Sequence, residues 1–349
     1  MTDNLAKSIA EAKCLGSLVA IDTAHKSGEL TDAERDRLLE GLVPLHQAHN
    51  REVAELVRLV CEPPAPAGPP LIHDWDFRDL APGTLPVGWK HRGMPTWGQD
   101  KGRVTVYRGL DDCEWTPEGL VMRMPKTGRK IQGYDPETKT SATTDEIAGT
   151  YLTTRAVGGQ PAVSIPFFSR VEWEGYWTPQ AGLWFALLWL CAEDGGAGRF
   201  EADPNEHLCR FGLDRVMCVI HGRLTDKEGT GYRSNLGTRY LRHNSNLVGR
   251  GIDWSKPHRH QFEIRPLNGG KDAEFVFGVD DRELVRWTTI ELRAAGATFA
   301  AGLPERLVLD STTQAGGLGG GVPIPAAYKG DGRMVLSRVR VWDLTGEAK

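Results

Sequence analysis

No stretch of the 349-residue sequence approaches the roughly eighteen consecutive apolar residues of a membrane span, so a helical integral membrane protein is excluded. No two cysteines form a CxxC pair. Cys14, Cys61, Cys113, Cys191, Cys209 and Cys218 are scattered without zinc-ligand spacing and read as free, mostly buried thiols. There is no surplus of positive charge either. Lys and Arg number 42 against 46 Asp and Glu, a net charge of -4, which gives no field to gather phosphates and argues against nucleic acid as a partner. A Ser-His-Asp nucleophile elbow and an HExxH motif are absent, and the glycine-rich Gly316 to Gly321 is not followed by the GK[ST] of a phosphate loop. The first residues, Met1 to Lys7, lack a charged region leading into an apolar one, so export by a secretory signal is not expected.

Aromatic residues are missing as well, but only from the first sixty positions. There the apolar residues fall at helical spacing: Leu5, Ile9, Ala12, Leu15, Leu18 and Val19, then, after Ser27-Gly28, a second set from Leu38 to Val60. Thr31 followed by Glu34 is a capping-box signature for the second helix, and Pro44 kinks or interrupts it. Residues 1–61 are thus predicted to be a helical hairpin that anchors or oligomerises the chain. Its apolar stripes pack on each other plus a neighbouring chain or host protein, or else form a simple intramolecular cap. Residues 62–70, Glu-Pro-Pro-Ala-Pro-Ala-Gly-Pro-Pro, cannot continue a helix and read as an extended spacer.

Beyond the spacer, residues 71–349 hold the surplus that the first segment lacks. The chain's 41 Gly and 21 Pro punctuate short runs rich in Val, Ile, Thr and aromatics, and its 11 Trp all lie here. Twelve such runs read as strands, among them Leu71–Phe77, Gly119–Met124, Gly149–Arg155, Ser169–Trp177, Leu183–Leu190, Phe211–Ile220, His260–Arg265 and Met334–Trp342. They do not alternate with helices and have no fixed repeat, which predicts a mainly β sandwich or jelly roll and disfavours a propeller.

Within this domain, Glu201-Ala-Asp203-Pro-Asn-Glu206 places three carboxylic acids in six residues. Side chains alternate along a strand, so Glu201 and Asp203 share a face and Glu206 points the other way. One extra residue inserted as a β-bulge would return Glu206 to the face of the other two and would tolerate the missing N–H of Pro204. Two carboxyls about 5 to 5.5 Å apart are what glycosidic cleavage with retention requires. The alternative is an acidic surface loop that holds nothing or a calcium ion.

The order Gly149-Thr-Tyr-Leu-Thr-Thr-Arg155, Arg170-Val-Glu-Trp173, Gly182-Leu-Trp-Phe-Ala-Leu-Leu-Trp-Leu190 and Glu201-x-Asp203-x-x-Glu206 resembles glycoside hydrolase family 16, the laminarinase and endo-β-glucanase group. His258-Arg-His260-Gln-Phe-Glu-Ile264, the segment Phe275 to Trp287, Leu307-Val-Leu309 with Gly316 to Gly320, and Val335 to Trp342 continue the resemblance, which spans about residues 72 to 343. It implies a concanavalin A-like jelly roll of two curved antiparallel sheets with a glycan across the concave face. Position by position it implies Glu201 as nucleophile, Asp203 as assisting carboxylate and Glu206 as acid/base. Family members usually have Gly before the first Glu and bulky aliphatics between the acids; here those places hold Phe200, Ala202, Pro204 and Asn205.

Of the tryptophans crowded upstream, Trp173, Trp177, Trp184 and Trp189, two or three belong to the core; Trp184 and then Trp177 are the candidates for stacking on sugar. His221 resembles a family histidine near the carboxylates and is a further substrate-binding candidate, with a hydrogen-bonded edge histidine as the alternative. His258 and His260 have the spacing of two ligands on one strand face but no third, so no metal centre is expected. No cofactor is implied; a structural calcium ion is the one alternative. Thr225 to Asn246, rich in Gly, Arg, Asn, Ser and Thr, reads as a lip of the groove or a packing arm.

A glycan-directed domain on a helical module, without an export signal, is laid out like a minor tail protein of a phage of high-GC actinobacteria, assembled in the host cytoplasm and carried on the virion. The expected partners are host cell-surface polysaccharide and, through residues 1–61, other virion proteins or further copies of the chain. The function classes left open are a retaining β-glycan hydrolase, an inactive carbohydrate-binding tail domain and a purely structural virion component.

Overall fold

The computed structural model describes residue 31 and residues 68–94, 104–135, 139–193, 200–209, 212–222, 247–294, 303–316 and 324–348. The expected helical hairpin apart from residue 31, residues 62–67 of the proline spacer and the segment Thr225 to Asn246 lie outside the described residues. Chain contacts divide at Gly68/Pro69, and every element below belongs to Pro69–Lys349.

The described residues form a mainly β structure built on two antiparallel sheets. In one, the strand order is β18 (Arg282–Thr288), β17 (Asp272–Val279), β16 (His258–Leu267), β11 (Ser169–Trp177), β20 (Gly332–Asp343), β6 (Gly119–Met124) and β5 (Cys113–Thr116), with β1 (Leu71–Asp76) also on β20. In the other the order is β15 (Leu247–Val248), β14 (Val216–Gly222), β13 (Phe200–Leu208), β12 (Leu183–Ala192), β19 (Arg306–Ala315), β9 (Tyr151–Thr153) and β2 (Lys90–His91), with β10 (Ile165–Pro166) on β19. A smaller third sheet runs β3 (Gly93–Met94), β4 (Thr105–Arg108), β8 (Thr140–Gly149) and β7 (Lys126–Asp135). This is the expected jelly roll. Its one short α-helix among the described residues, α1 (Thr289–Ala294), starts at a cap in which Thr288 Oγ1 accepts from Glu291 N at 3.1 Å while Glu291 Oε2 accepts from Thr288 N at 2.8 Å.

Period-two alternation decides which residues meet between the sheets. Val171, Trp173 and Trp177 of β11, Phe262 and Ile264 of β16, and Phe275 and Phe277 of β17 face Phe185, Leu187 and Leu190 of β12, Phe200 and Ala202 of β13, and Leu307 and Leu309 of β19 in one continuous core. Each large side chain buried there contributes about 2 to 3 kcal/mol. Where β11 bends, its register with β20 shifts at Glu174/Gly175, and only glycine fits: a Cβ on Gly175 would lie 2.3 Å from Val335 O and 2.9 Å from Leu187 Cδ2.

The outward face of the first sheet is tiled with charge. Linked ion pairs run Glu283, Arg286, Glu274, Arg265, Glu263, Arg170 across β18, β17, β16 and β11, and Arg338 meets Asp74 at the β1 edge. The exposed pairs of such a ladder contribute little stability each.

The core beneath the acid strand contains polar rings. Trp173 stacks on His260 at 5.5 Å, His260 on Trp177 at 5.8 Å and Trp177 on Trp254 at 5.2 Å. Trp177 Nε1 donates to His207 Nδ1 at 2.7 Å, which makes Nε2 the nitrogen that donates to Gly212 O at 3.0 Å. Burial depresses the His207 imidazole to about 4 and that of His260 to about 3, so both are neutral. Unfolded histidines take up a proton near their ordinary pKa of roughly 6.5 and these two do not, so acid favours the unfolded chain. Urea unfolding of the chain should lose stability as pH falls below about 6.5, each histidine adding about 1.4 kcal/mol per pH unit down to its depressed value. In His207→Gln that slope should diminish by one proton; an unchanged slope would contradict the neutral, buried assignment.

Candidate active site

β13 lies between β12 and β14. Glu201 stands opposite Cys191 and His221, Asp203 opposite Val219, and Glu206 opposite Ala186 and Met217. From Asp203 to Glu206, three steps along β13 match two along β14, which is one inserted residue, a β-bulge. Burial alternates accordingly. Phe200 and Ala202 are inside, Asn205 and His207 are inside, and the acids occupy the positions between: Glu201 and Glu206 half-buried, Asp203 buried. The three carboxylates therefore share the outward face of the second sheet.

A second bulge lies beside the first. Trp184 and Trp189 are five residues apart, an odd offset that an unbroken strand would send to opposite faces. From Ala186 to Trp189, three steps along β12 match two along β19, from Thr312 to Asp310. The core holds Leu183, Phe185, Leu187, Leu188 and Leu190, and the outward face receives Trp184, Ala186, Trp189 and Cys191. Two half-buried indoles thus flank a small residue, Ala186, which is the direct cross-strand neighbour of Glu206.

Farther across the face, Trp189 pairs with Asp310 on β19 and Asp310 with Thr153 on β9. Tyr151 stacks on Trp189 at 5.6 Å, and Arg92 covers the Tyr151 ring at 5.4 Å. Arg155 reaches back to Asp310, its Nε and Nη2 both 2.9 Å from Oδ2. Burial pushes the fully buried Asp310 carboxyl upward, and the guanidinium opposes that push. The thiol of Cys191, beside Glu201, is likewise raised by burial and by the Glu201 charge, so it is no nucleophile.

The sites expected from sequence divide. Glu201, Asp203, Glu206 and Trp184 come together on one face. His221 pairs through its backbone with Glu201, and its side chain lies outside what is described. Trp177 is a correction: it is wholly inside the core, its ring between His260 and Trp254 and its N–H spent on His207, so no sugar reaches it. Trp189, Tyr151, Arg155 and Asp310 join this face only through the strand pairing. The odd spacing of Trp184 and Trp189 was the available signal, since it equals that of Glu201 and Glu206 and calls for the same bulge. Among the described residues no group of three His, Cys, Asp or Glu could hold a metal ion, and Cys113, Cys191, Cys209 and Cys218 are free thiols.

No family model matches the chain, and no curated protein does. Solved structures do. The laminarinase catalytic domain from Thermotoga maritima MSB8 superimposes with a TM-score of 0.57 at 17% identity, over 79% of this chain and 99% of that one. The endo-β-1,3-glucanase from Pyrococcus furiosus gives 0.56 at 17% identity over 78% and 94%, and a non-specific endo-β-1,3(4)-glucanase of family GH16 gives 0.56 at 18% over 81% and 94%. Identities this low establish the jelly-roll fold of these enzymes and leave the chemistry to be argued from the site.

Because Asp310 is buried and Arg155 is its charged partner, Arg155→Met should cost about 3 kcal/mol of stability, read by urea unfolding. The loss should shrink as pH falls, because burial raises the Asp310 carboxyl and lets it take up a proton once its cation is gone; a loss independent of pH would contradict the ion pair.

Proposed function

We propose that this chain is a retaining β-glycan hydrolase. The observation that carries the reading is the row Glu201, Asp203, Glu206, brought onto one face by a one-residue bulge and flanked by Trp184 and Trp189. Glu206 acts as general acid and passes its proton to the leaving glycosidic oxygen as the carboxylate of Glu201 attacks the anomeric carbon, so that a glycosyl ester forms and the glycosidic bond breaks. Water then attacks the ester, Glu206 takes the proton of that water, and Glu201 leaves as carboxylate. The indoles beside Ala186 supply apolar faces for sugar C–H groups, and the part-exposed guanidinium of Arg155 lies farther along the face.

The substrate class in this reading is a host cell-surface polysaccharide of β-glucan type. Placement follows the order of the chain: the helical pattern of residues 1–61 docks to other virion proteins or to further copies, residues 62–70 space, and the glycan-directed domain faces outward. The layout is that of a phage minor tail protein carried on the virion. Immunolabelling of intact particles tests that placement, and unlabelled tails would overturn it.

The chemistry is tested by reducing-sugar release from β-1,3- and β-1,3/1,4-glucans. Glu201→Gln and Glu206→Gln should each lose at least about 1,000-fold in kcat, and Trp184→Ala should mainly raise KM. Binding of the same glycans with no release, unchanged by Glu201→Gln, would replace the hydrolase reading with an inactive carbohydrate-binding domain.

A further inference from the structure

Pro204 and Asn205 occupy the two places between the acids where the resembled family puts bulky aliphatics, and the structure gives them a joint purpose. β12 and β13 keep one register on either side of their bulges, with Ala186 opposite Glu206 and Leu190 opposite Ala202, so Leu188 falls opposite Pro204. Proline has no backbone N–H, and β13 therefore has no main-chain donor at that point. Asn205 is the next residue and is fully buried. With the amide oxygen and nitrogen assigned by their hydrogen-bond partners, it donates to Leu188 O at 3.3 Å and accepts from Trp173 Nε1 at 3.3 Å, its Trp173-facing end lying 3.5 Å from His260 Nδ1. Leu188 lies in the bulge of β12, Asn205 in the bulge of β13, and Trp173 on β11 of the opposite sheet.

We propose that Asn205 is a positioning residue: its amide supplies the donor that Pro204 lacks, ties the two bulges to each other and to the opposite sheet, and so sets the aim of Glu206. A bulge leaves one residue unpaired in the ladder, and a slip of one residue sends every following side chain to the other face. Such a slip would turn Glu206 into the core and His207 out of it. The amide opposes it because both partners are met only in the present register. Leaving Leu188 O and the Trp173 indole buried without a partner costs more than the bonds contribute when made. An aliphatic side chain at 205 can fill the space but cannot specify the register; the resembled family, with a main-chain N–H at the preceding position, does not need it to.

This makes the two residues interdependent, and a substitution cycle tests the dependence. Asn205→Leu alone should lower kcat about 100-fold with KM held within about 3-fold, the loss expected from a catalytic group displaced by about 1 Å. Pro204→Val/Asn205→Leu restores a backbone N–H and should recover at least about ten-fold of that loss. A side chain that merely fills the core would give no such rescue. Asn205→Leu at wild-type kcat, or a double variant no better than the single one, overturns the proposal. If Asn205→Leu does not fold, Asn205→Ser, whose hydroxyl is too short to reach both partners, takes its place in the same cycle. The kinetic arm rests on the hydrolase reading and the crystallographic arm does not. Crystal structures of the same variants should show the Glu206 carboxylate displaced or turned from the acid face in the single variant and returned in the double. An unmoved Glu206 refutes the positioning role even if the wild-type chain hydrolyses nothing.

Discussion

Strand alternation is the constraint from which the candidate site follows. Side chains an odd number of residues apart on a regular strand face opposite ways, and the two spacings that matter most here, Glu201 to Glu206 and Trp184 to Trp189, are both odd. One extra residue in each of two adjacent strands, at the same level, brings both pairs back to one face. The acids and the indoles are thus consequences of a single local irregularity in β12 and β13, which stay in step with each other while both fall out of step with β19 and β14.

The core answers to the same irregularity. Beneath the bulges it is polar: two neutral histidines, three tryptophans and an asparagine, several of them joined by ring stacking or hydrogen bonds. A partly polar core stabilises less per unit area than an aliphatic one and specifies more, because a bond such as Trp177 Nε1 to His207 Nδ1 is met in one arrangement only. That trade suits a strand pair whose ladder is interrupted, and it gives the acid strand firm support despite the absence of the aliphatic anchors between its acids.

Much of this was legible in the sequence. Ser169–Trp177 and Gly119–Met124 have the same bounds in sequence and structure, because an apolar run, with alternating Val171, Trp173 and Trp177 in the first and Leu, Val and Met in the second, ends at Pro and Gly turn signals in each. The bulge near Pro204 was legible from the odd acid spacing alone. The hairpin of β7 and β8 was not read as strands, since its Lys, Thr, Gly and Asp residues give no apolar alternation; it pairs at the margin of the fold, where one face need not be buried. Trp177 was misplaced because a tryptophan near the acids in sequence says nothing about which side of its strand it takes. It sits on β11 of the other sheet, with its ring in the core. Asp310, Arg155 and Tyr151 meet only through pairing of β19 with β9, a contact between segments far apart in the chain that no local pattern announces.

In the proposed mechanism the bulge in β13 sets Glu201 and Glu206 at the separation of a nucleophile and an acid/base on one side of a sugar. The configuration of the first product reports that separation directly, because carboxyls spaced for direct attack give retention and carboxyls spaced to admit a water between them give inversion. Proton NMR of a β-glucan oligosaccharide during the first minutes of hydrolysis should show the β-anomer accumulating before mutarotation supplies the α-anomer. Initial release of the α-anomer, or of no product from any β-glucan, would contradict the account.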